Sequence, residues 1–249
     1  MSLHSVDRIF TTASEEYFLS NGIQLAKSLL QNSDIKLMVY SEDDLSKYNQ
    51  LIDYQPLKYR EEVASFNIDF RSKYGSYYKF LPYMLKMDLW FFKIAAQRQH
   101  VESRPGTFSL FLDSDSVVLN KKFNKVVDAF IQPASNYDVG IFRRENTYLH
   151  PETGFVTLRS SERLIAAYEK MFNDVMDEKF RNLPSWTDSS LIENEILNNK
   201  ITYLDFCAHY GLSSNNPVYE STLSKSFVHL KGARKGKFSY VKHVLRKYT

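Results

Sequence analysis

The sequence predicts a single α/β domain. Short runs of buried-type residues alternate with helical periodicity along the chain. The first strand, helix and strand have the spacing of a parallel βαβ unit. No linker, repeat or low-complexity tract divides the 249 residues, a length that suits one domain with a sizeable core.

Arg8 to Thr12 is short, apolar and partly β-branched, and reads as the first strand. Ser14 is placed to cap the helix that follows, in which Leu25 and Leu29 stand four apart. Ile35 to Ser41 is a second buried-type strand. Residues 42–75 are polar and mixed, and read as a helix followed by a loop. Phe80 to Gln97 is the strongest helix, with Pro82 in its first turn and a stripe of Leu81, Leu85, Leu89 and Phe92. Lys86 and Lys93 lie seven apart on another face.

Phe108 to Leu112 is a third buried strand that stops at Asp113, Ser114 and Asp115. Asn124 to Phe130 reads as a short helix, and Val139–Phe142 and Gly154–Leu158 as strands. Ser160 to Met176 is a helix capped by Ser160 or Ser161, and Asp188 to Leu197 a helix with an acid at its positive end. Ile201 to Leu204 is a short strand.

Composition removes several functional classes. Aromatics and aliphatics are plentiful and the net charge is only +3, which excludes disorder. Cys207 is the only cysteine, so neither a disulfide framework nor a cysteine-rich zinc module is available. No run of about 18 apolar residues marks a transmembrane helix. Met1 to Arg8 has no apolar core of a secretory signal, so a cytoplasmic setting is expected. The near-neutral balance does not imply nucleic acid. The basic excess is local: Lys225, Lys231, Arg234, Lys235, Lys237, Lys242, Arg246 and Lys247. That run is either a solvated tail or a surface for phosphates, including peripheral contact with an anionic membrane.

Asp113 and Asp115 carry the first chemical signal. Two carboxylates one residue apart end a buried strand, where open α/β sheets bind ligands. On an extended segment they point the same way and suit a hard divalent cation, Mn2+ or Mg2+. The competing reading is a simple turn, since Asp and Ser favour turns. The second signal is His229, Gly232 and Lys235: an imidazole for a metal, a glycine for close approach to phosphate, and a cation. His4, His100, His209 and His243 read as structural or exposed. With 37 aromatics (17 Tyr, 18 Phe and 2 Trp), most rings must be core; Tyr17 and Trp186 stand beside candidate site residues.

Six segments together resemble the GT-A glycosyltransferases, closest in pattern to the glycogenin and bacterial galactosyltransferase branch. They are Phe10–Tyr17 with Leu25–Leu29, Leu85–Trp90, Phe111–Leu119, Glu152–Val156, Thr187–Asp188, and the His-x-x-Gly-x-x-Lys pattern of His229, Gly232 and Lys235. The resemblance spans residues 8–237 and implies one GT-A domain over 1–249, a Rossmann-like nucleotide-diphospho-sugar transferase with a mixed, mostly parallel sheet. It implies a C-terminal segment, about 220–249, folding back over the donor.

The implied activity is metal-dependent transfer from a nucleotide sugar, a UDP-sugar by preference, to a hydroxyl acceptor such as a glycan, with retention preferred. By resemblance, Asp113, Asp115 and His229 would hold the metal. Thr11, Thr12 and Tyr17 would line the base and ribose pocket. Lys86 would face the donor, Ser114, Gly232 and Lys235 would meet its phosphates, and Asp188 would sit near the reacting sugar carbon. Two positions depart from the family: Glu152 replaces its usual Asn, and Ser189 its usual Gln. Glu152 is a candidate general base for the acceptor hydroxyl, which would favour inversion, or a hydrogen-bond acceptor for sugar hydroxyls.

Two other readings stay open at this level. A nucleotidyltransferase would want a Gly-rich basic loop after the first strand, and Thr11 to Glu16 contains neither Gly nor Lys. A non-catalytic carbohydrate- or nucleotide-binding module would not need the acids and histidine in this order.

Overall fold

The structure, a computed structural model, describes residues 7–33, 35–143, 151–198, 200–212 and 217–229. Seven strands form the central sheet: β1 (Arg8–Thr12), β2 (Leu37–Ser41), β3 (Ile52–Pro56), β4 (Phe108–Leu112), β6 (Val139–Phe142), β7 (Glu152–Arg159) and β8 (Tyr203–Asp205). Their order across the sheet is β3-β2-β1-β4-β7-β6-β8. β3, β2, β1 and β4 run parallel, β7 is antiparallel to both β4 and β6, and β8 is parallel to β6. A separate antiparallel ladder joins β5 (Ser116–Val118) to β9 (Phe227–His229).

Side-chain alternation divides the core. Phe10, Met38, Tyr40 and Phe111 point to one face, covered by α3 (Arg60–Tyr74), α4 (Met87–Ser103), α6 (Glu162–Met176) and α7 (Asp188–Leu197). Ile9, Val39, Leu110 and Leu112 point to the other, with α2 (Ile23–Ser33), α5 (Phe123–Ile131), α8 (Phe206–Tyr210) and α9 (Pro217–Glu220). Helices on both faces explain why β2 and β4 are buried along their whole length and read as unbroken apolar runs. Aromatic rings fill much of this core: Phe10, Phe18, Phe91, Phe111, Phe155 and Tyr168 are among the fully buried side chains.

Ser14 caps α1 (Glu15–Tyr17) by accepting a hydrogen bond from Tyr17 N at 3.3 Å. A π-helical turn over Phe18–Gly22 then links α1 to α2. Of the two candidates for the α6 cap, Ser161 is the one that serves, accepting from Leu164 N at 3.1 Å.

Two segments differ from the sequence reading. Residues 42–75 hold an edge strand, β3, before α3; only Ile52 of β3 is fully buried, so its apolar alternation is faint. The helix expected over Phe80–Gln97 begins at Met87 and continues to Ser103. Pro82 holds Leu81 extended (φ −61°, ψ 131°), and short 3₁₀ turns replace the first helical turns. The expected stripe is only partly a core face: Leu81 and Phe92 are half-buried against the core, Leu89 is 42% exposed, and Met87, Phe91, Ile94, Ala95 and Val101 are the buried residues.

Candidate active site

The end of β4 and the β5–β9 ladder build a cluster of metal-ligating groups. Asp113 N donates to Gly154 O at 2.9 Å, carrying the β4–β7 pairing one residue beyond Leu112. The chain turns through Ser114 and Asp115 into β5, whose Ser116 pairs in register with His229. That register sets His229 over the acidic turn. Its Nε2 lies 2.9 Å from Asp115 Oδ1 and 3.3 Å from Asp113 Oδ2. One ligand atom from each of the three residues falls within 4.8 Å of the others. The Tyr219 hydroxyl donates to the His229 carbonyl and pins β9 from outside.

These residues fit a divalent cation. Cis ligands on an octahedral ion with bonds of about 2.1 Å stand about 3 Å apart, close to the 2.9 and 3.3 Å between His229 Nε2 and the two carboxylates. Two carboxylates and one imidazole suit Mn2+ or a similar ion. The site also leaves room for the ring: a Cβ on Gly154 would lie 2.6 Å from His229 Nδ1 and 2.8 Å from Asp113 Oδ2. The nearby acids confirm the charge logic. Burial lowers the pKa of the His229 imidazole, but Asp113 and Asp115 outweigh it and push it up to about 9. Burial likewise opposes ionisation of Asp113, yet Lys93 and His229 hold its carboxyl well below the usual range.

Lys93, buried in α4, joins this cluster to the next. Its Nζ lies 2.9 Å from Asp113 Oδ1, 2.9 Å from Asp188 Oδ2 and 2.8 Å from Thr153 O. Burial disfavours its charge, but the two carboxylates more than compensate and raise its pKa. Thr187 caps α7 through Ser190 N and sets Asp188 at the first position of that helix.

A cavity of about 700 Å³ opens over these groups at the carboxyl end of the parallel strands. Thr12, Tyr17, Asp113, Ser114, Asp115, Glu152 and His229 line it. The Tyr17 hydroxyl reaches Asp115 Oδ2 at 3.4 Å, and Thr12 Oγ1 donates to Tyr40 O at 3.0 Å. Thr153 and Ser189, which also line the cavity, bring their hydroxyls 3.2 Å apart.

Three expected site residues stand elsewhere. Thr11 is fully buried in β1, because strand alternation turns it away from the cavity that Thr12 meets. Lys86 precedes α4 rather than lying on it, and its Nζ sits 4.7 Å from the Tyr78 ring centroid, outside the cavity lining. Asp188 is fully buried and engaged by Lys93, beneath the cavity rather than on its wall. Trp186 packs with Phe70 and Phe180. Gly232, Lys235 and the basic run beyond Lys225 lie outside the described residues, as do His4 and His243. His100 is buried in the core and His209 is exposed, matching their structural reading.

Lys93 is the residue that sequence reasoning passed over. Its signal was present: a lone lysine flanked by Phe91, Phe92, Ile94, Ala95 and Ala96. A cation in so apolar a run needs a buried partner. No helix among the described residues is long and apolar enough to cross a membrane.

No protein-family model and no curated protein matches the sequence. Solved structures do match. The galactosyltransferase LgtC, in complex with donor and acceptor sugar analogues, superposes with a TM-score of 0.57 at 12% identity, over 97% of this chain and 96% of that one. A glycosyltransferase involved in glycosylation of the major capsid of PBCV-1 gives a TM-score of 0.50 at 14% identity, over 96% and 99%. The glycosyltransferase GlyE of Streptococcus pneumoniae TIGR4 gives 0.55 at 15% identity, over 97% of this chain and 60% of that one. With its mixed seven-stranded sheet and the acidic turn after β4, the chain has the fold of the GT-A glycosyltransferases.

Proposed function

We propose that the protein is a metal-dependent glycosyltransferase, moving a sugar from a UDP-sugar to a hydroxyl of a glycan or similar acceptor. The observation that carries this reading is the convergence of Asp113, Asp115 and His229 beneath the cavity at the sheet's carboxyl edge. A volume of about 700 Å³ suits a nucleotide sugar. The similarity to LgtC and GlyE is one of fold and supports the reaction class without fixing the sugar.

Asp113, Asp115 and His229 would hold Mn2+ or Mg2+. The chemistry supplied by such an ion is Lewis-acid relief of charge on the leaving nucleoside diphosphate. The chain's own residues do the positioning. Thr12 and Tyr17 offer the nucleoside a polar edge and an aromatic face, where a planar base stacks. Ser114 offers a donor toward the diphosphate. Thr153 and Ser189 present hydroxyls to the sugar side of the cavity. Lys93 holds Asp113 and Asp188 in place, so these acids do not need to reorganise when substrate binds.

The test is incubation with a panel of nucleotide sugars and Mn2+, reading nucleoside diphosphate release. Release from UDP-sugars supports the assignment. Release only from donors with another base overturns the UDP choice. Tight Mn2+ and nucleotide binding with no turnover of any donor overturns the enzyme reading in favour of a binding module.

A further inference from the structure

We propose that Glu152 is a positioning residue for the metal-directed histidine. The inference rests on the metal-dependent reading above. His229 turns Nε2 toward Asp113 and Asp115, so its other nitrogen, Nδ1, faces away from the ion's place. Glu152 Oε1 lies 3.7 Å from that Nδ1. The same oxygen accepts a hydrogen bond from Gly154 N at 3.1 Å, which fixes the carboxylate at the start of β7. Glu152 is only 5% exposed, at the edge of the cavity it lines.

Strand geometry makes the pair of residues one device. Positions 152 and 154 share a face of β7. Glu152 supplies an oxygen facing Nδ1, and Gly154 supplies space, since its missing Cβ would collide with the ring at Cε1 and Nδ1. The imidazole therefore lies against bare backbone with a carboxylate oxygen 3.7 Å from its outer nitrogen. A carboxylate facing Nδ1 favours the tautomer with its proton there, whose Nε2 lone pair is free for a metal, and biases the orientation of the ring. Glu152 thus acts through His229.

The experiment compares the full chain with Glu152→Ala, Glu152→Gln and a His229→Ala benchmark. Mn2+ affinity is read by titration calorimetry, and imidazole nitrogen coupling to bound Mn2+ by electron spin-echo modulation. Removing an outer partner of a metal-bound histidine weakens metal binding about 10–100-fold. E152A should show that loss, with an altered or missing nitrogen coupling. E152Q, which keeps an oxygen toward Nδ1, should recover most of the affinity. Wild-type affinity and coupling in E152A overturn the proposal, as does an E152Q chain as impaired as E152A. A wild-type chain that binds no Mn2+ overturns the metal reading itself, a distinct result. Should E152A fail to fold, Glu152→Asp draws the carboxylate back by one methylene and should weaken Mn2+ binding; unchanged affinity there also overturns the proposal.

Discussion

Lys93 bridges Asp113 and Asp188, its Nζ 2.9 Å from a carboxylate oxygen of each. It ties the acidic turn after β4 to the first residue of α7, two elements far apart in sequence. Replacing Lys93 by Met would leave the fully buried Asp188 without its cation and the half-buried Asp113 with His229 alone. Losing one partner of a buried ion pair costs about 3–5 kcal/mol. Urea unfolding of Lys93→Met should show a loss of that order, and a loss under about 1 kcal/mol would mean the bridge is not a structural tie.

Mn2+ with UDP should raise the thermal midpoint. A ligand at 100 times its Kd adds about 2.7 kcal/mol to a folded state that alone binds it. For a chain of this size that corresponds to roughly 5–10 °C. Asp113→Asn and Asp115→Asn should remain folded and lose most of the shift. An undiminished shift in both variants would place the ion elsewhere.

Gly154→Ala should separate binding from stability. The new Cβ would meet His229 and Asp113 inside van der Waals contact. Overpacking of this kind costs about 1–3 kcal/mol. The expected result is a modestly destabilised chain with little or no Mn2+ response. A variant that binds Mn2+ normally would show that the ring has slack around it.

His100 should shape the acid limb of stability. It is fully buried, stacked on Phe10 at 3.7 Å and 3.1 Å from the Tyr40 hydroxyl through Nδ1. Burial, with Arg104 and Arg8 adding to it, pushes its pKa down to about 3. The unfolded chain therefore binds a proton near pH 6.5 that the folded chain refuses until about pH 3. Stability from this residue is complete above pH 6.5 and drains away between the two values. The slope is at most about 1.4 kcal/mol per pH unit. A His100→Gln chain should have a lower stability at neutral pH but a shallower fall on acidification; an identical slope would remove His100 from the account.

Much of this was readable from the chain. β1, β4 and β6 stand where buried-type runs ended in polar residues, and α7 starts at the acid that suits a helix N-terminus. The candidate metal ligands were readable because Asp113 and Asp115 end an apolar strand and His229 opens the pattern with Gly232 and Lys235. What escaped depended on neighbours in space. β3 lies at the sheet edge and has little apolar pattern to show. Lys93 looked like a surface lysine of an amphipathic helix, but α4 is covered on several sides, so its face cannot be judged from spacing. Gly154 was legible only as part of the Glu152–Val156 segment, and its packing role was not, since its value lies in the ring of a residue from another sheet.

The pairing of Ser116 with His229 has a consequence for when the protein can work. During synthesis the acidic turn emerges early and every strand of the central sheet precedes β9. The third candidate ligand arrives only when Phe227–His229 has been made and docks beside β5. A chain cut before that point keeps the residues of all seven sheet strands but lacks one of the three groups. On the proposed metal reading, released chains truncated on either side of His229 would differ sharply in Mn2+ retention, making this short ladder the last step in assembling the cluster.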